Sequence, residues 1–262
     1  NILNKLFKFK KGLIKTNRVS NIKDRDSNIL NLDRNEKITP PTKKEKKIFN
    51  KYLENLNLNL YPNLENTYKR LSKFLKINKK NILITEGVSG GIKNILESIV
   101  INRKTDVIIP KPSFALYEIY SKIFGIKFNT FSYDKYFNLD INKIYNLVSK
   151  NTAIVFLPFP NIPIEGSLKL KSIEKLINFL NKKKILIAID EVYHPFNKST
   201  TINLIKKYNN LIVMRSFSKA YGLAGARIGY IVSNKDKIKI FSRTKGGYET
   251  NMLSASCIHF IL

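Results

Sequence analysis

The chain has 262 residues, 43% of them apolar, enough to bury a sizeable core, so disorder is not the starting expectation. Its 47 Lys and Arg against 19 Asp and Glu give a net charge of +28, but the lysines are scattered among Asn and Ile from Lys5 to Lys245; this reads as a basic solvated surface with nonspecific attraction to polyanions, not as a specific nucleic-acid face. A lone Cys257 excludes an internal disulfide, His194 and His259 make no metal-ligand cluster, and no apolar run approaches the roughly 18 to 20 residues of a membrane span, so a cytosolic, metal-free protein is expected.

In chain order, Asn1–Asn35 reads as irregular and carries no secretory signal, since it has no unbroken apolar stretch and no small-residue cleavage site. The absence of Met at position 1 makes Asn1 a processed end or the edge of a fragment. Pro41–Leu56 and Glu65–Leu75 read as helices around the turn Tyr61-Pro62-Asn63. From Asn81 onward, β-branched runs alternate with stretches of helical period, the pattern of βαβ units. The strands are expected at Asn81–Thr85, Asp106–Pro110, Lys127–Phe131, Ala153–Leu157, Ile185–Asp190, Leu211–Arg215 and Arg227–Val232. Helices are expected at Gly90–Ile101, Phe114–Phe124, Ile141–Lys150, Leu168–Lys182, Ile202–Tyr208 and Lys235–Arg243. In Leu168–Lys182 the stripe Leu168, Ile173, Leu176, Ile177 and Leu180 faces the sheet. Gly246–Leu262 begins a further helix and stops without a closing signal. The fold class is α/β, a seven-stranded, mainly parallel sheet flanked by helices. Ligands of such a sheet bind where the loops gather, at the carboxyl ends of the strands.

The residues that follow the strands carry chemistry. Ser216, Ser218, Lys219 and Arg227 cluster after the strand Leu211–Arg215. An amine beside two hydroxyls and a guanidinium suits a phosphorylated aldehyde, which the amine takes as a Schiff base while the others hold the phosphate. Asp190 and Tyr193 follow another strand, placed to hold a protonated pyridine nitrogen and a ring oxygen. Gly87-Val88-Ser89-Gly90-Gly91, between a strand and an amphipathic helix, reads as a phosphate cup at a helix N-terminus. Pro158-Phe159-Pro160-Asn161-Ile162-Pro163 follows a fourth strand, and an X-Pro bond there can be cis. Taken singly, Lys219 is one surface lysine among many and Asp190 a cap or turn residue; together they make a site.

These motifs, with Leu32-Asp33-Arg34-Asn35-Glu36, Tyr61-Pro62 and Pro112-Ser113-Phe114, stand in an order that resembles the fold-type I aminotransferases dependent on pyridoxal 5′-phosphate (PLP), and among them those like histidinol-phosphate aminotransferase. The resemblance runs from about Leu32 to Leu253. It implies that Lys219 binds PLP covalently and then shuttles the substrate proton. It gives Asp190 the pyridinium nitrogen, Tyr193 the 3′-oxygen, and Phe114 a ring face. Ser89, Ser216, Ser218 and Arg227 are left to the phosphate, with Tyr61 reaching it from the partner of a homodimer, and Val88 is counted among the cofactor-binding residues. Asn35 is expected to touch substrate. The chain departs from the family in two places. Asn161-Ile162-Pro163 replaces the usual pair of asparagines, so either Asn161 supplies the 3′-oxygen contact from one position earlier or that contact is absent. Gly90-Gly91 replaces an acidic pair.

The resemblance also implies three parts: an arm with the start of a small domain (1–60), a large PLP domain (61–240), and a helix leading toward the rest of the small domain (241–262), which is incomplete. The expected reaction moves an amino group from histidinol phosphate or a related amine to a 2-oxo acid. The alternatives are a decarboxylase of a phosphorylated amino acid on the same residues, or an inactive fragment or basic binding protein.

Overall fold

The apolar runs expected as strands show no alternation of polarity, and strands of that kind need cover on both faces. The computed structural model, which describes residues 10–16, 29–30, 32–99, 104–162, 164 and 168–262, provides that cover. The strands are β1 (Ile82–Thr85), β2 (Asp106–Pro110), β3 (Lys127–Phe131), β4 (Thr152–Pro158), β5 (Leu186–Asp190), β6 (Leu211–Ser216) and β7 (Gly229–Ser233). They form one seven-stranded sheet in the order β1-β7-β6-β5-β4-β2-β3. All neighbours are parallel except β7, which runs antiparallel to both β1 and β6.

Along each central strand, successive residues enter opposite cores. Ile154 and Phe156 of β4 face one, and Val155 and Leu157 the other; Ile212 and Met214 of β6 are likewise opposed to Leu211 and Val213. The first core is completed by α4 (Gly87–Ser98), α5 (Leu116–Phe124) and α8 (Lys235–Ser242), through Ile92, Ile95, Leu96, Tyr117, Ile238 and Phe241. The second is completed by α3 (Glu65–Leu75), α6 (Ile141–Leu147), α7 (Leu170–Lys182) and α9 (Met252–Ile261). Ile173, Leu176, Ile177 and Leu180 of α7 are fully buried, each side chain contributing roughly 1.5–3 kcal/mol; Leu168 packs beside them, partly buried. The short α1 (Lys11–Lys15) and the longer α2 (Lys43–Leu53) precede this body. Phe49 of α2 meets Phe260 of α9, with ring centroids 5.6 Å apart, and Thr67 Oγ1 lies 3.0 Å from His259 Nε2.

Several element boundaries differ from expectation for local reasons. The helix expected from Pro41 begins at Lys43 because Thr42 caps it: Thr42 Oγ1 accepts from the Glu45 N–H, while Glu45 Oε2 accepts from the Thr42 N–H at 2.7 Å. The helix expected at Ile202–Tyr208 is a 3₁₀ turn, Ile202–Lys206. Its buried residues, Ile202 and Ile205, stand three apart and fall on one row of a 3₁₀ turn, so their burial requires no α-helix. The strand expected from Arg227 starts at Gly229, because Arg227 has left-handed backbone (φ 50°) and ends the 3₁₀ turn Ala224–Ala226. The glycine segment expected as a loop before a helix at Gly90 is itself the first turn of α4, which begins at Gly87. The expected end of that helix at Ile101 lies outside the described residues, as do Pro163, Glu165 and Gly166. The last helix starts at Met252, where Asn251 Oδ1 accepts from the Ser254 N–H at 2.8 Å. Among the described residues, no helix is long and apolar enough to cross a membrane, and no group of His, Cys, Asp and Glu is placed to hold a metal.

Candidate active site

Strand direction brings the expected residues to one edge of the sheet. β2, β4, β5 and β6 are parallel, so the residues after them gather at one edge. β7 is antiparallel to β6, so the segment entering β7 belongs to that edge; β1 is antiparallel to β7, so its exit does too. Thr85, Gly229 and Ser216 accordingly stand in one row.

This row forms a tight cradle. Gly87 has φ +66°, and a Cβ added there would lie 3.2 Å from the Arg227 guanidinium. A Cβ on Gly229 would lie 2.6 Å from the Arg215 carbonyl oxygen and 2.9 Å from Gly87 Cα. Bare backbone thus lets β7 meet the start of α4, whose first-turn N–H groups, with Val88 buried and Ser89 half-buried, open beside Arg227. Gly229→Ala, which must displace backbone, is expected to cost about 1–3 kcal/mol in urea unfolding. Gly225→Ala, with open space at its Cβ, should change stability by less than about 0.5 kcal/mol. Ser216 and Ser218 are buried beside the cradle; Ser216 Oγ donates to Ser218 Oγ (2.9 Å) and accepts from the Ser218 N–H (3.0 Å).

Lys219 follows, half-buried, its Nζ donating to the Arg34 carbonyl at 2.6 Å and lying 6.0 Å from the centre of the Tyr193 ring. Burial lowers the Lys219 pKa and Arg227 adds to that, while Glu36 and Asp190 oppose it. Asn35 Nδ2 donates to Tyr193 Oη at 2.8 Å, so the segment bearing Arg34 and Asn35 crosses both side chains. Asp190, the last residue of β5, is only 3% exposed. Its Oδ2 accepts from Tyr117 Oη (2.5 Å) and its Oδ1 from the Val192 N–H (3.0 Å). Burial pushes its pKa up to about 6 against those two hydrogen bonds.

Phe114, in the loop between β2 and α5, is 45% exposed and meets Tyr117 edge-on at 6.0 Å. Asn161 follows the cis bond Phe159-Pro160 and is buried, with both ends of its amide engaged: Nδ2 donates to the Pro112 carbonyl (3.0 Å), and Oδ1 accepts from Ser113 Oγ (2.8 Å). Tyr61 is 80% exposed and stacks on Tyr248 of its own chain at 4.8 Å. A cavity of about 770 Å³ lies on the cradle side, lined by Ser89, Lys93, Tyr120, Arg227, Tyr248 and Ser254 among others; Asp190 and Lys219 are outside its lining.

Sequence reasoning gave no role to three contributors. Tyr117 backs Asp190, Ser113 fixes Asn161, and Glu191 forms a fully buried ion pair with Arg215. Glu191 Oε2 accepts from Arg215 Nε (3.0 Å) and Nη2 (2.9 Å) and from the Thr200 hydroxyl (2.7 Å). Its Oε1 accepts from Thr201 through N–H (2.6 Å) and hydroxyl (2.9 Å). This pair had a signal: a carboxylate just past one apolar strand and an arginine at the end of the next meet when those strands pair in parallel.

Relatives carry the same architecture. The profile of the family "Aminotransferase class I and II" matches residues 26–257. A histidinol-phosphate aminotransferase of Methanococcus aeolicus is 35% identical over 207 residues, covering 77% of this chain and 55% of that protein. A dihydroxyacetone phosphate transaminase of Campylobacter jejuni is 32% identical over 232 residues, covering 87% and 62%. The crystal structure of L-threonine-O-3-phosphate decarboxylase from Porphyromonas gingivalis superposes with a TM-score of 0.70 at 27% identity, covering 83% of this chain and 65% of that one. The chain therefore spans little more than half the length of the first of these relatives. With the profile matched across most of its length and the sheet in place, this chain belongs to the class I and II aminotransferase family.

Proposed function

We propose that the chain is the cofactor-holding part of a PLP-dependent transaminase, a cytosolic homodimer that moves an amino group from a small phosphorylated amine to a 2-oxo acid. The observation that carries this reading is the placement of Lys219 and Asp190 after adjacent strands, with Ser216, Ser218, Arg227 and the start of α4 on the cradle side. The residues fit PLP. Asp190 is a buried carboxylate whose desolvation a cationic ring nitrogen offsets, and the cradle offers hydroxyls, N–H groups and a guanidinium to a phosphate.

When bound, PLP supplies an electron sink for the electrons left as the substrate carbon loses its proton. Lys219 Nζ is the amine that attaches the cofactor, and its lowered pKa favours the neutral, nucleophilic form. Once displaced, the same Nζ carries the proton from the substrate carbon. Asp190 holds the ring nitrogen in its cationic form, and Tyr193 orients the ring through the 3′-oxygen. Phe114 covers one ring face and shields it from water. Asn161, its amide given to Pro112 and Ser113, holds the turn that presents Phe114, leaving the 3′-oxygen to Tyr193. Asn35 places the 32–37 segment over the site, where substrate arrives. Tyr61, exposed on this chain, serves the phosphate of the partner's site.

The phosphorylated substrate class rests on the names of the relatives, which include histidinol phosphate, dihydroxyacetone phosphate and threonine-O-3-phosphate. The decarboxylase among them favours the second reading, since Lys219 and Asp190 serve both reactions. Incubating the chain with PLP and histidinol phosphate should give amino transfer that depends on added 2-oxoglutarate. Release of CO2 from O-phosphothreonine, without that dependence, would establish the decarboxylase instead.

A further inference from the structure

We propose that Tyr117 is a positioning residue for the cofactor: its hydroxyl keeps the buried Asp190 carboxylate ionised and turned toward the ring nitrogen. This inference rests on the proposed function and adds to it a residue outside every motif that suggested PLP.

Tyr117 and Asp190 are both almost completely buried, 73 residues apart in sequence, and joined by a 2.5 Å hydrogen bond from Oη to Oδ2. The tyrosine is held from two sides, by Phe156 of β4 at 5.1 Å and by Phe114 edge-on at 6.0 Å, so its hydroxyl has a fixed aim. It thereby connects the residue proposed to cover the ring with the residue proposed to hold the ring nitrogen. Burial and the neighbouring carboxylate raise the Tyr117 pKa well above its ordinary value, so at neutral pH its hydroxyl stays protonated and can donate to Asp190. The other groups facing Asp190 are the Val192 N–H, which also favours the ionised form, Glu191, which opposes it, and Lys219, which favours it from farther off; Tyr193 also faces it, and its phenol is itself raised by burial. Pro158 and Met214, the strand neighbours of Asp190, bring no charge. Among the described residues two hydrogen bonds reach the carboxylate, and of these the one from Tyr117 is the one that a side-chain substitution removes.

Tyr117→Phe keeps the ring and deletes the donor. Losing a hydrogen bond to a charged group moves a carboxylate midpoint by about one pH unit, so the Asp190 midpoint, followed by carbon-13 NMR of labelled Asp in the chain without cofactor, should rise by about that much. PLP affinity should then fall in a pH-dependent way. The ratio of variant to wild-type dissociation constants should be about tenfold near pH 5.5 and approach unity near pH 8.5, where Asp190 is ionised in both. A purely structural role gives a ratio that does not change with pH. In an Asp190→Asn background, Tyr117→Phe should lose this pH dependence altogether; its persistence there overturns the inference. An unmoved Asp190 midpoint, or a ratio flat across pH, also overturns it while leaving the proposed function standing. A wild-type chain that binds no PLP at any pH overturns the proposed function and this inference together.

Discussion

Lys219→Ala is expected to lower transamination by about 10⁴-fold or more, because under the proposed function one amine both attaches the cofactor and moves the substrate proton. Lys219→Arg should lose as much, since it keeps the positive charge and supplies neither a nucleophile nor a base near neutral pH. The comparison separates chemistry from electrostatics: were Lys219 needed only for its charge, Arg would restore activity. Neither variant should unfold the protein. The Lys219 side chain is half-buried and desolvated, so removing it relieves a strained cation, and the thermal midpoint should stay level or rise. Lys93→Ala, in the cavity wall, is the control for loss of a basic side chain near the cradle and should leave kcat within a few-fold of wild type.

The second large effect concerns stability. Arg215→Met strands the fully buried Glu191 carboxylate and should cost about 3–5 kcal/mol in urea unfolding. Glu191→Gln should also cost stability, since its single amide oxygen can keep either the Thr201 contacts or those from Arg215 and Thr200, while its NH2 meets donors on the other side. The double variant Glu191→Met with Arg215→Met should recover much of the Arg215→Met loss, because no charge is then buried alone. The pair lies directly behind the site. It ties the end of β6 to the loop that leaves β5 with Tyr193, so its loss should also loosen the contact between Tyr193 and Asn35. Recovery of stability without recovery of PLP affinity in the double variant would show that the pair sets geometry as well as stability.

The sheet was legible because its strands are buried on both faces. Runs such as Ile187–Ile189 and Leu211–Met214 are apolar throughout, and no other element of that length explains them. The site residues were legible where a reactive side chain follows such a run directly, as Asp190 and the Ser216–Lys219 segment do. Tyr117 was not, because it sits in the interior of an amphipathic helix, where an aromatic residue reads as core. Its link to Asp190 depends on β2 and β5 each lying beside β4, which neither local sequence reveals. The start of the last strand, expected at Arg227 and found at Gly229, was misjudged for a similar reason. The left-handed backbone at Arg227 answers to the close approach of β7 to Gly87, a tertiary contact that strand propensity does not report. Asn161 could be placed near the site but not oriented, since its amide answers to Ser113 and Pro112 on another loop.

The net charge supplies the sharpest test of the central claim. A chain this rich in lysine offers PLP many exposed amines, whereas Lys219 is half-buried and faces the buried Asp190 carboxylate. The most direct measurement is to treat the chain with about one equivalent of PLP, reduce with borohydride, and map the label by peptide mass spectrometry. The predicted result is a single dominant label on Lys219, lost in Lys219→Ala and weakened in Asp190→Ala. A label spread over the exposed lysines, with Lys219 no more modified than Lys43 or Lys171, would contradict the account.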